Sequence, residues 1–315
     1  MTILPRVRRL VAELGQFRKA MDAQAKAEAR LRQHLDTQFA LLRALPPVPA
    51  SGRNLVMGLA VGFGPAELAP FVDSLRGTGF KGDIALVTFQ TSAETSAWLA
   101  ARGVTELTFD SMPLLAMSMN SARMLKYLEF LRTEVISGAR PYDYIMLADV
   151  RDIVFQGDPF ARADGADIYY FLETARTIGS CPINSVWMAQ AFGPDVLRRA
   201  ADSPVSCAGT LIARPLALLE YLLLMARYIA ESPPEVRHSG IDQAIHNYLM
   251  INNLVAGARI EANGGAVMTV PTDRPSGMVM ANGMFRNADG SFSETVHQYD
   301  RDPDLLAAVR ARWGG

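Results

Sequence analysis

Two aspartates follow an apolar segment that has the character of a buried strand. The segment covers residues 142–148, and Asp149-Val150-Arg151-Asp152 follows it directly. In an open parallel sheet, side chains just beyond the carboxyl end of a strand face the ligand site. Two carboxylates repel each other there, and a divalent cation between them makes their approach favourable. We therefore expect Asp149 and Asp152 to hold a cation that binds a phosphate-bearing ligand. The alternative is that Asp149 or Asp152 caps the next turn and that Arg151 pairs with one of the two.

The residues before this motif alternate between strand and helix patterns. Short apolar runs are separated by longer segments that suit helices, and Ser92 stands where it could cap one of them. This order predicts an open, mainly parallel α/β sheet of the Rossmann type. The predicted strands are 55–61, 83–89, 104–109 and 142–148, and the predicted helices are 66–76, 93–101 and 121–135.

The turn after the first strand contains Gly62 and Gly64, but Glu67 stands where a third glycine would be. The full G-x-G-x-x-G pattern lets a dinucleotide approach the backbone, so its absence argues against a dinucleotide-dependent dehydrogenase. A nucleotidyltransferase also places acids and a metal at a strand end. It would normally need cations in this loop, and residues 62–67 supply none.

A long helix over residues 6–43 is predicted before the sheet, and a Pro-rich linker over 46–53 follows it. Apolar residues recur in the helix with a spacing typical of a coiled-coil seam. Residues 1–45 carry nine Lys/Arg and four Asp/Glu, whereas the remainder carries 22 and 28. Three roles stay open for this helical arm: docking on its own domain, self-association into a homo-oligomer, and contact of its basic residues with anionic lipid.

The composition is that of an ordinary folded protein, with 50% of its 315 residues hydrophobic and 20% charged. This excludes a disordered chain, a collagen-like fibre and a disulfide scaffold. A net charge of −1 gives no reason to expect a nucleic-acid partner. We expect Cys181 and Cys207 to be reduced thiols. Charged residues interrupt any signal-peptide pattern, so we expect a cytoplasmic protein, with peripheral contact at the inner face of the membrane as an alternative.

Further segments extend the aspartate motif. Phe155-Gln156-Gly157-Asp158-Pro159-Phe160 comes first, and residues 184–187, 206–210, 240–244 and 296–301 follow later in the chain. With these segments, residues 54–302 resemble the GT-A-fold glycosyltransferases of glycogenin and galactosyltransferase type, which use nucleotide sugars. The aspartates resemble their DxD motif, and His297 resembles their C-terminal metal-binding histidine.

This resemblance implies a GT-A catalytic domain over 54–315, with a nucleotide-binding half (54–160) and a donor-sugar and acceptor half (161–315). It implies a hexosyltransferase that moves a sugar, from UDP in the favoured case, to a glycan, lipid-linked or other cell-surface precursor. Asp242 and Glu173 are the candidate catalytic carboxylates. The candidate donor-binding residues are Ala60, Val61, Gly62, Arg123, Lys126, Arg151, Cys207, Ala208, Gly209 and Gln243.

One departure from the family pattern affects the metal site. A strict DxD motif has an acid at the third position, where this chain has Arg151. Either Asp149, Asp152 and His297 hold the ion together, which we favour, or Arg151 replaces part of its charge. Oxygen and imidazole ligands suit Mn²⁺, with Mg²⁺ as the second choice. The same departure keeps open a catalytically inactive nucleotide-sugar-binding or scaffold protein.

Overall fold

The computed structural model describes residues 29, 33, 35–42, 45–46, 48–109, 117–270, 279–281 and 284–314. A seven-stranded sheet forms the centre of this part of the chain. Its strands are β1 (Asn54–Leu59), β2 (Asp83–Thr88), β3 (Val104–Thr108), β4 (Tyr144–Asp149), β6 (Ile168–Thr177), β7 (Pro204–Ala213) and β8 (Ala258–Glu261). They lie side by side in the order β3-β2-β1-β4-β7-β6-β8.

The first four strands of this sheet run parallel, which confirms the mainly parallel α/β sheet expected from the sequence. Each predicted strand is present, with ends that differ by two residues or fewer. In β1, Leu59 lies opposite Asp149 of β4, so the carboxyl ends of both strands reach the same edge of the sheet. β7 then joins β4 in the antiparallel sense and brings the second half of the chain to that edge.

Eight helices connect or cover the strands of the described part. They are α1 (Pro65–Gly77), α2 (Ala93–Ala101), α3 (Met119–Phe130), α4 (Pro182–Phe192), α5 (Pro194–Ala200), α6 (Pro215–Glu231), α7 (Ile241–Ile251) and α8 (Pro303–Trp313). The predicted cap is confirmed, because the Ser92 hydroxyl accepts a hydrogen bond from the Thr95 N–H at 3.1 Å. The predicted helix 121–135 divides into α3 and a π-helical segment, Leu131–Ile136. Short 3₁₀ turns cover Pro234–Val236 and Tyr299–Arg301.

Different helices cover the two faces of the sheet, because side chains alternate along each strand. Leu55 and Met57 of β1 belong to the hydrophobic core built with α3, α6 and α7. Val56, between them, belongs to the core built with α1 and α2. Strands buried on both faces read as continuous apolar runs, which is why β1 and β4 could be predicted without an alternating pattern.

A second, three-stranded sheet lies beside the first. It consists of β5 (Ile153–Phe155), β12 (Thr295–His297) and β9 (Val267–Thr269), with β12 in the middle. β12 is antiparallel to β5 and parallel to β9. A two-stranded antiparallel ribbon of β10 (Val279–Ala281) and β11 (Met284–Arg286) completes the strands that the structure describes.

Most of the predicted helix 6–43 lies outside the described residues, and of its described part residues 35–42 are helical. Leu35 is 2% exposed and belongs to the core formed with α3 and α6, where Phe39 and Leu42 also pack. Asp36 Oδ1 lies 3.9 Å from Nη1 of Arg227 on α6. This segment of the arm therefore docks on its own domain, which was one of the three roles considered.

The segment between this helix and β1 is also fixed to the body of the protein. The Asp143 carboxylate accepts hydrogen bonds from the N–H groups of Ser51 at 2.6 Å and Gly52 at 3.0 Å. The predicted linker thus makes specific contacts near its end. None of the described helices combines the length and apolar character that a membrane span requires.

The docking of residues 35–42 predicts that substitutions of two leucines in this helix have different effects on stability. Leu35→Ala should lower the free energy of unfolding by about 2–4 kcal/mol, because it leaves a cavity in the core. Leu41, which is 56% exposed, is the matched control. Leu41→Ala should change the free energy of unfolding by less than about 0.5 kcal/mol. Urea unfolding at equilibrium measures both values, and equal effects of the two substitutions would contradict the docking of this segment.

Candidate functional site

Three potential metal ligands converge at the carboxyl end of β4. Asp149 is the last residue of β4, and Asp152 immediately precedes β5. The register of β12 places His297 opposite Ile153, the first residue of β5, so the imidazole reaches the same turn. The Gln298 N–H donates to the Asp152 carbonyl at 2.7 Å and continues this pairing by one residue. Two separate sheets thus bring the three side chains together.

The spacing of these atoms fits a cation. One ligand atom from each of Asp149, Asp152 and His297 lies within 4.8 Å of the other two. His297 Nε2 is 3.8 Å from Asp149 Oδ2 and 3.7 Å from Asp152 Oδ1. These separations exceed hydrogen-bond length, and the buried Nε2 has no hydrogen-bond partner among the described residues. A nitrogen left without a partner between two carboxylates is what a bound divalent ion would satisfy.

The electrostatics of the site also favour a positive charge at this point. Burial opposes a charged imidazole, yet Cys207 and the Asp149 and Asp152 carboxylates raise the pKa of His297 well above its usual value. Burial alone would raise the pKa of Asp149, but the Arg123 guanidinium and His297 hold it well below its usual value. Burial raises the pKa of Asp152, although His297 opposes the rise.

Arg123 of α3 lies directly behind Asp149. Its side chain is 5% exposed, Nη1 donates a hydrogen bond to Asp149 Oδ1, and Nη2 lies 3.9 Å from Asp242 Oδ2. A buried guanidinium needs carboxylate partners, because an unpaired buried charge is strongly destabilising. Arg123 therefore joins the end of β4 to the first turn of α7. Its Nε has no hydrogen-bond partner among the described residues.

The backbone of β7 beside Asp149 is held by side chains of α7. Gln243 accepts from the Ala208 N–H at 2.8 Å and donates to the Ser206 carbonyl at 2.7 Å. Asn247 makes the corresponding pair with Ser206, at 2.8 and 2.9 Å. These amides satisfy main-chain groups where the pairing between β6 and β7 is irregular. Gln243 thus holds the segment that includes Gly209.

Gly209 makes room for two of the potential metal ligands, Asp149 and His297. A Cβ atom at this position would lie 2.4 Å from Asp149 Oδ2 and 3.1 Å from His297 Cε1. The first separation is far below a van der Waals contact, so no residue with a side chain fits without moving the carboxylate. The glycine predicted to let a donor sugar approach the backbone thus also makes space for Asp149.

Most of these groups line one cleft of about 960 Å³, but His297 is fully buried and is not among the residues that line it. Asp149 and Asp152 line the cleft, and Asp242 and Glu173 also face it. Burial raises the pKa of Asp242, although Arg123 opposes the rise, and burial raises the pKa of Glu173. The predicted residues that line it are Arg123, Asp149, Arg151, Asp152, Glu173, Cys207, Ala208, Gly209, Asp242 and Gln243.

Some predicted residues do not line the cleft, and one that does is paired with Asp300. Ala60, Val61 and Gly62 follow β1 at the same edge of the sheet but are not among the described residues that line the cleft. Lys126 is also outside that lining, and its Nζ contacts Glu129 Oε2 at 2.8 Å. Arg151 lines the cleft but is 66% exposed and turned toward Asp300, with Nε 3.3 Å from Oδ2.

Several lining residues were not predicted to be functional. Trp187 and Asn184 of α4 belong to a segment that had been noted, residues 184–187, but without assigned roles. Arg301 and Gln298 come from the segment of His297. Because they are close in sequence to His297, a predicted metal ligand, their place in the cleft could have been predicted. Arg176, His238 and Asn263 also line the cleft, and their local sequence gives no signal.

The fold has a known counterpart among solved structures. The chain is similar to the galactosyltransferase LgtC, in a structure in complex with donor and acceptor sugar analogs, with a TM-score of 0.51 and 13% identity. The likeness covers 81% of this chain and 93% of LgtC. The chain therefore has a glycosyltransferase-type fold of the GT-A kind. No family model matches the sequence, and no match was found among curated proteins.

The convergent ligands predict a Mn²⁺ site that depends on each of them. Asp152→Asn and His297→Gln should each weaken Mn²⁺ binding by about 100-fold or more, because each removes one ligand. Asp73→Asn is the control, since the Asp73 carboxylate pairs with Arg102 outside the cleft. Isothermal titration with Mn²⁺ measures the affinities. Unchanged affinity in both ligand variants would show that the ion binds elsewhere or not at all.

The space at Gly209 gives a separate prediction. In Gly209→Ala, the new Cβ displaces the Asp149 carboxylate, so Mn²⁺ affinity should fall by about tenfold or more. Gly64→Ala is the control, because the nearest atom to its Cβ is the end of a flexible glutamate at 3.3 Å. The same titration compares the two variants, and equal affinities would contradict the close approach of Gly209 to Asp149.

Proposed function

We propose that the protein is a metal-dependent glycosyltransferase, with a nucleotide sugar as donor and a glycan or lipid-linked molecule as acceptor. The observation that carries the proposal is the convergence of Asp149, Asp152 and the buried His297 in a chain that folds like a galactosyltransferase, with both aspartates lining the cleft. A UDP-sugar is the favoured donor, and Mn²⁺ is favoured over Mg²⁺ because imidazole is one of the ligands.

The charges of the cleft support a diphosphate ligand. Its described lining includes four arginines and four carboxylates, so these charges cancel. A divalent cation would then leave an excess of positive charge, opposite in sign to the diphosphate of a nucleotide sugar. Since Asp149 is already paired with Arg123, the positive charge nearest the diphosphate would come from the ion.

The transfer itself breaks the bond between the anomeric carbon and a β-phosphate oxygen. A new bond forms to an acceptor hydroxyl oxygen, the hydroxyl proton passes to a carboxylate, and the nucleoside diphosphate leaves with the bonding electrons. A cation held by Asp149, Asp152 and His297 would supply electrostatic stabilisation for the leaving diphosphate. Arg123 holds Asp149 in position for this, and the small side chain of Ala208 and the absence of one at Gly209 let the sugar approach the backbone closely.

Asp242 and Glu173 are the proposed catalytic carboxylates. Asp242 is held near Arg123 at the start of α7, which suits a group that binds hydroxyls of the donor sugar. Glu173 lines the same cleft from β6, and burial raises the pKa of its carboxyl. A raised pKa suits a group that takes up a proton near neutral pH, so we assign the acceptor proton to Glu173.

The described part of the arm supports docking on the catalytic domain. Self-association and peripheral contact with the inner face of a membrane remain proposals for the rest of residues 1–45. We also keep the cytoplasm as the proposed location and 54–315 as the proposed catalytic domain. An inactive nucleotide-sugar-binding protein is the competing proposal, and the next experiment separates it from an enzyme.

Nucleotide binding and donor turnover test the proposal together. UDP should raise the melting temperature in the presence of Mn²⁺ and much less in its absence, because a ligand stabilises the state that binds it. The protein should also hydrolyse or transfer the sugar of a UDP-sugar. Asp149→Asn should reduce this turnover by about 100-fold or more, and Asp73→Asn should leave it unchanged.

The possible outcomes distinguish the competing proposals. Metal-dependent binding without turnover of any donor in a panel of UDP- and GDP-sugars would favour the inactive binding protein. A protein that responds to no nucleoside diphosphate, with or without Mn²⁺, would refute both. Turnover that survives Asp149→Asn would show that the proposed metal ligands are wrong.

A further inference from the structure

Helix α4 is unusual among the surface helices because none of its eleven residues is charged. Two of its large apolar side chains are exposed, Ile183 by 57% and Val186 by 53%. These positions are three residues apart and therefore lie on one side of the helix. Large apolar side chains that are exposed side by side on an uncharged helix indicate a surface that contacts something other than water.

The opposite side of α4 is already packed against the protein. Asn184 and Met188 are buried there, and Met188 belongs to a small core with Val205 of β7. At the carboxyl end of the helix, the Phe192 ring stacks on Tyr248 of α7 with ring centroids 4.2 Å apart. The position of α4 is thus fixed without help from Ile183 or Val186, and their side is available for a ligand.

The exposed side of α4 continues into the cleft. Ile183 and Trp187 both line it, whereas Val186, one turn from Ile183 on the exposed side of the helix, is not among its lining residues. The Trp187 ring packs on the backbone of Gly240, where a Cβ would lie 2.4 Å from Trp187 Cε2. Gly240 directly precedes α7, the helix that carries Asp242. We call Ile183, Val186 and Trp187 the apolar ridge. Through Ile183 and Trp187 the ridge borders the cleft that Asp242 and Glu173 also line.

We propose that the acceptor is an amphiphilic glycoside, whose sugar enters the cleft while an alkyl or polyprenyl chain lies on the apolar ridge. The proposal rests on the proposed glycosyltransferase function and specifies its substrate class. The ridge suits the aglycone of the acceptor because the donor is polar throughout, whereas the ridge lacks charge. The ridge is continuous with the cleft, so a single molecule can place its sugar in the cleft and its apolar chain on the ridge. This favours an amphiphilic acceptor over a separate partner.

The test compares methyl and n-octyl glycosides of the same sugars, each below its micelle-forming concentration. Trp187 reports binding by fluorescence in a Trp98→Phe, Trp313→Phe background, which removes the other two of the three tryptophans. The protein is saturated with UDP and Mn²⁺. For sugars that bind, the octyl glycoside should bind at least about tenfold more tightly than the methyl glycoside, since burial of about two CH₂ groups gives that ratio.

Matched variants assign this preference to the ridge. Ile183→Ser combined with Val186→Ser should bring the octyl-to-methyl ratio close to one, with methyl glycoside binding unchanged. Ile260→Ser is the control, because Ile260 is also exposed, by 49%, but lies on the edge strand β8 and does not line the cleft. This variant should keep the wild-type ratio.

Three results would overturn the proposal. The first is an octyl-to-methyl ratio near one in the wild type while UDP-sugar turnover is intact, which leaves the glycosyltransferase function standing. The second is an octyl preference that survives the double serine variant. The third is a wild-type dimer that becomes monomeric in that variant, which would make the ridge an interface between two copies. Absence of both nucleotide binding and turnover would remove this proposal and the proposed function together.

Discussion

The register of β12 against β5 is the constraint on which the site depends. It places His297 opposite Ile153, one residue from Asp152, and the hydrogen bond from Gln298 to the Asp152 carbonyl extends it. Side chains alternate along a strand, so a slip by one residue would turn the imidazole to the opposite face. The position of a three-stranded sheet beside the main sheet thus decides whether two aspartates acquire a third ligand.

Arg123 links the remaining parts of the site to this point. A guanidinium buried behind Asp149 is tolerated because it contacts two carboxylates, Asp149 at the end of β4 and Asp242 at the start of α7. Gln243, the next residue of α7, holds the backbone of β7 close to Asp149. The spacing between β4, the segment of β7 that contains Gly209, and α7 is therefore fixed by polar contacts of the Arg123 and Gln243 side chains.

Local pattern was sufficient to predict much of the fold but not the assembly of the site. The parallel strands and the Ser92 cap follow from apolar runs and cap chemistry, which depend on neighbouring residues. The placement of Asp149 follows from the rule that ligands bind beyond strand ends. The proximity of His297 depends on pairing between distant segments, and family resemblance, not spacing, pointed to it. The pairing of Arg151 with Asp300 and the exposure of one side of α4 depend on tertiary packing, which local sequence patterns do not predict.

The position of β12 in the chain has a consequence for biosynthesis. All seven strands of the large sheet precede β12 in sequence, so they leave the ribosome before the third ligand does. The nascent protein can form its central sheet and bury Arg123 against Asp149 while His297 is still missing. Capture of the proposed cation would then be among the last events of maturation. A chain truncated before β12 would lack the middle strand of the three-stranded sheet and α8 together with the third potential ligand.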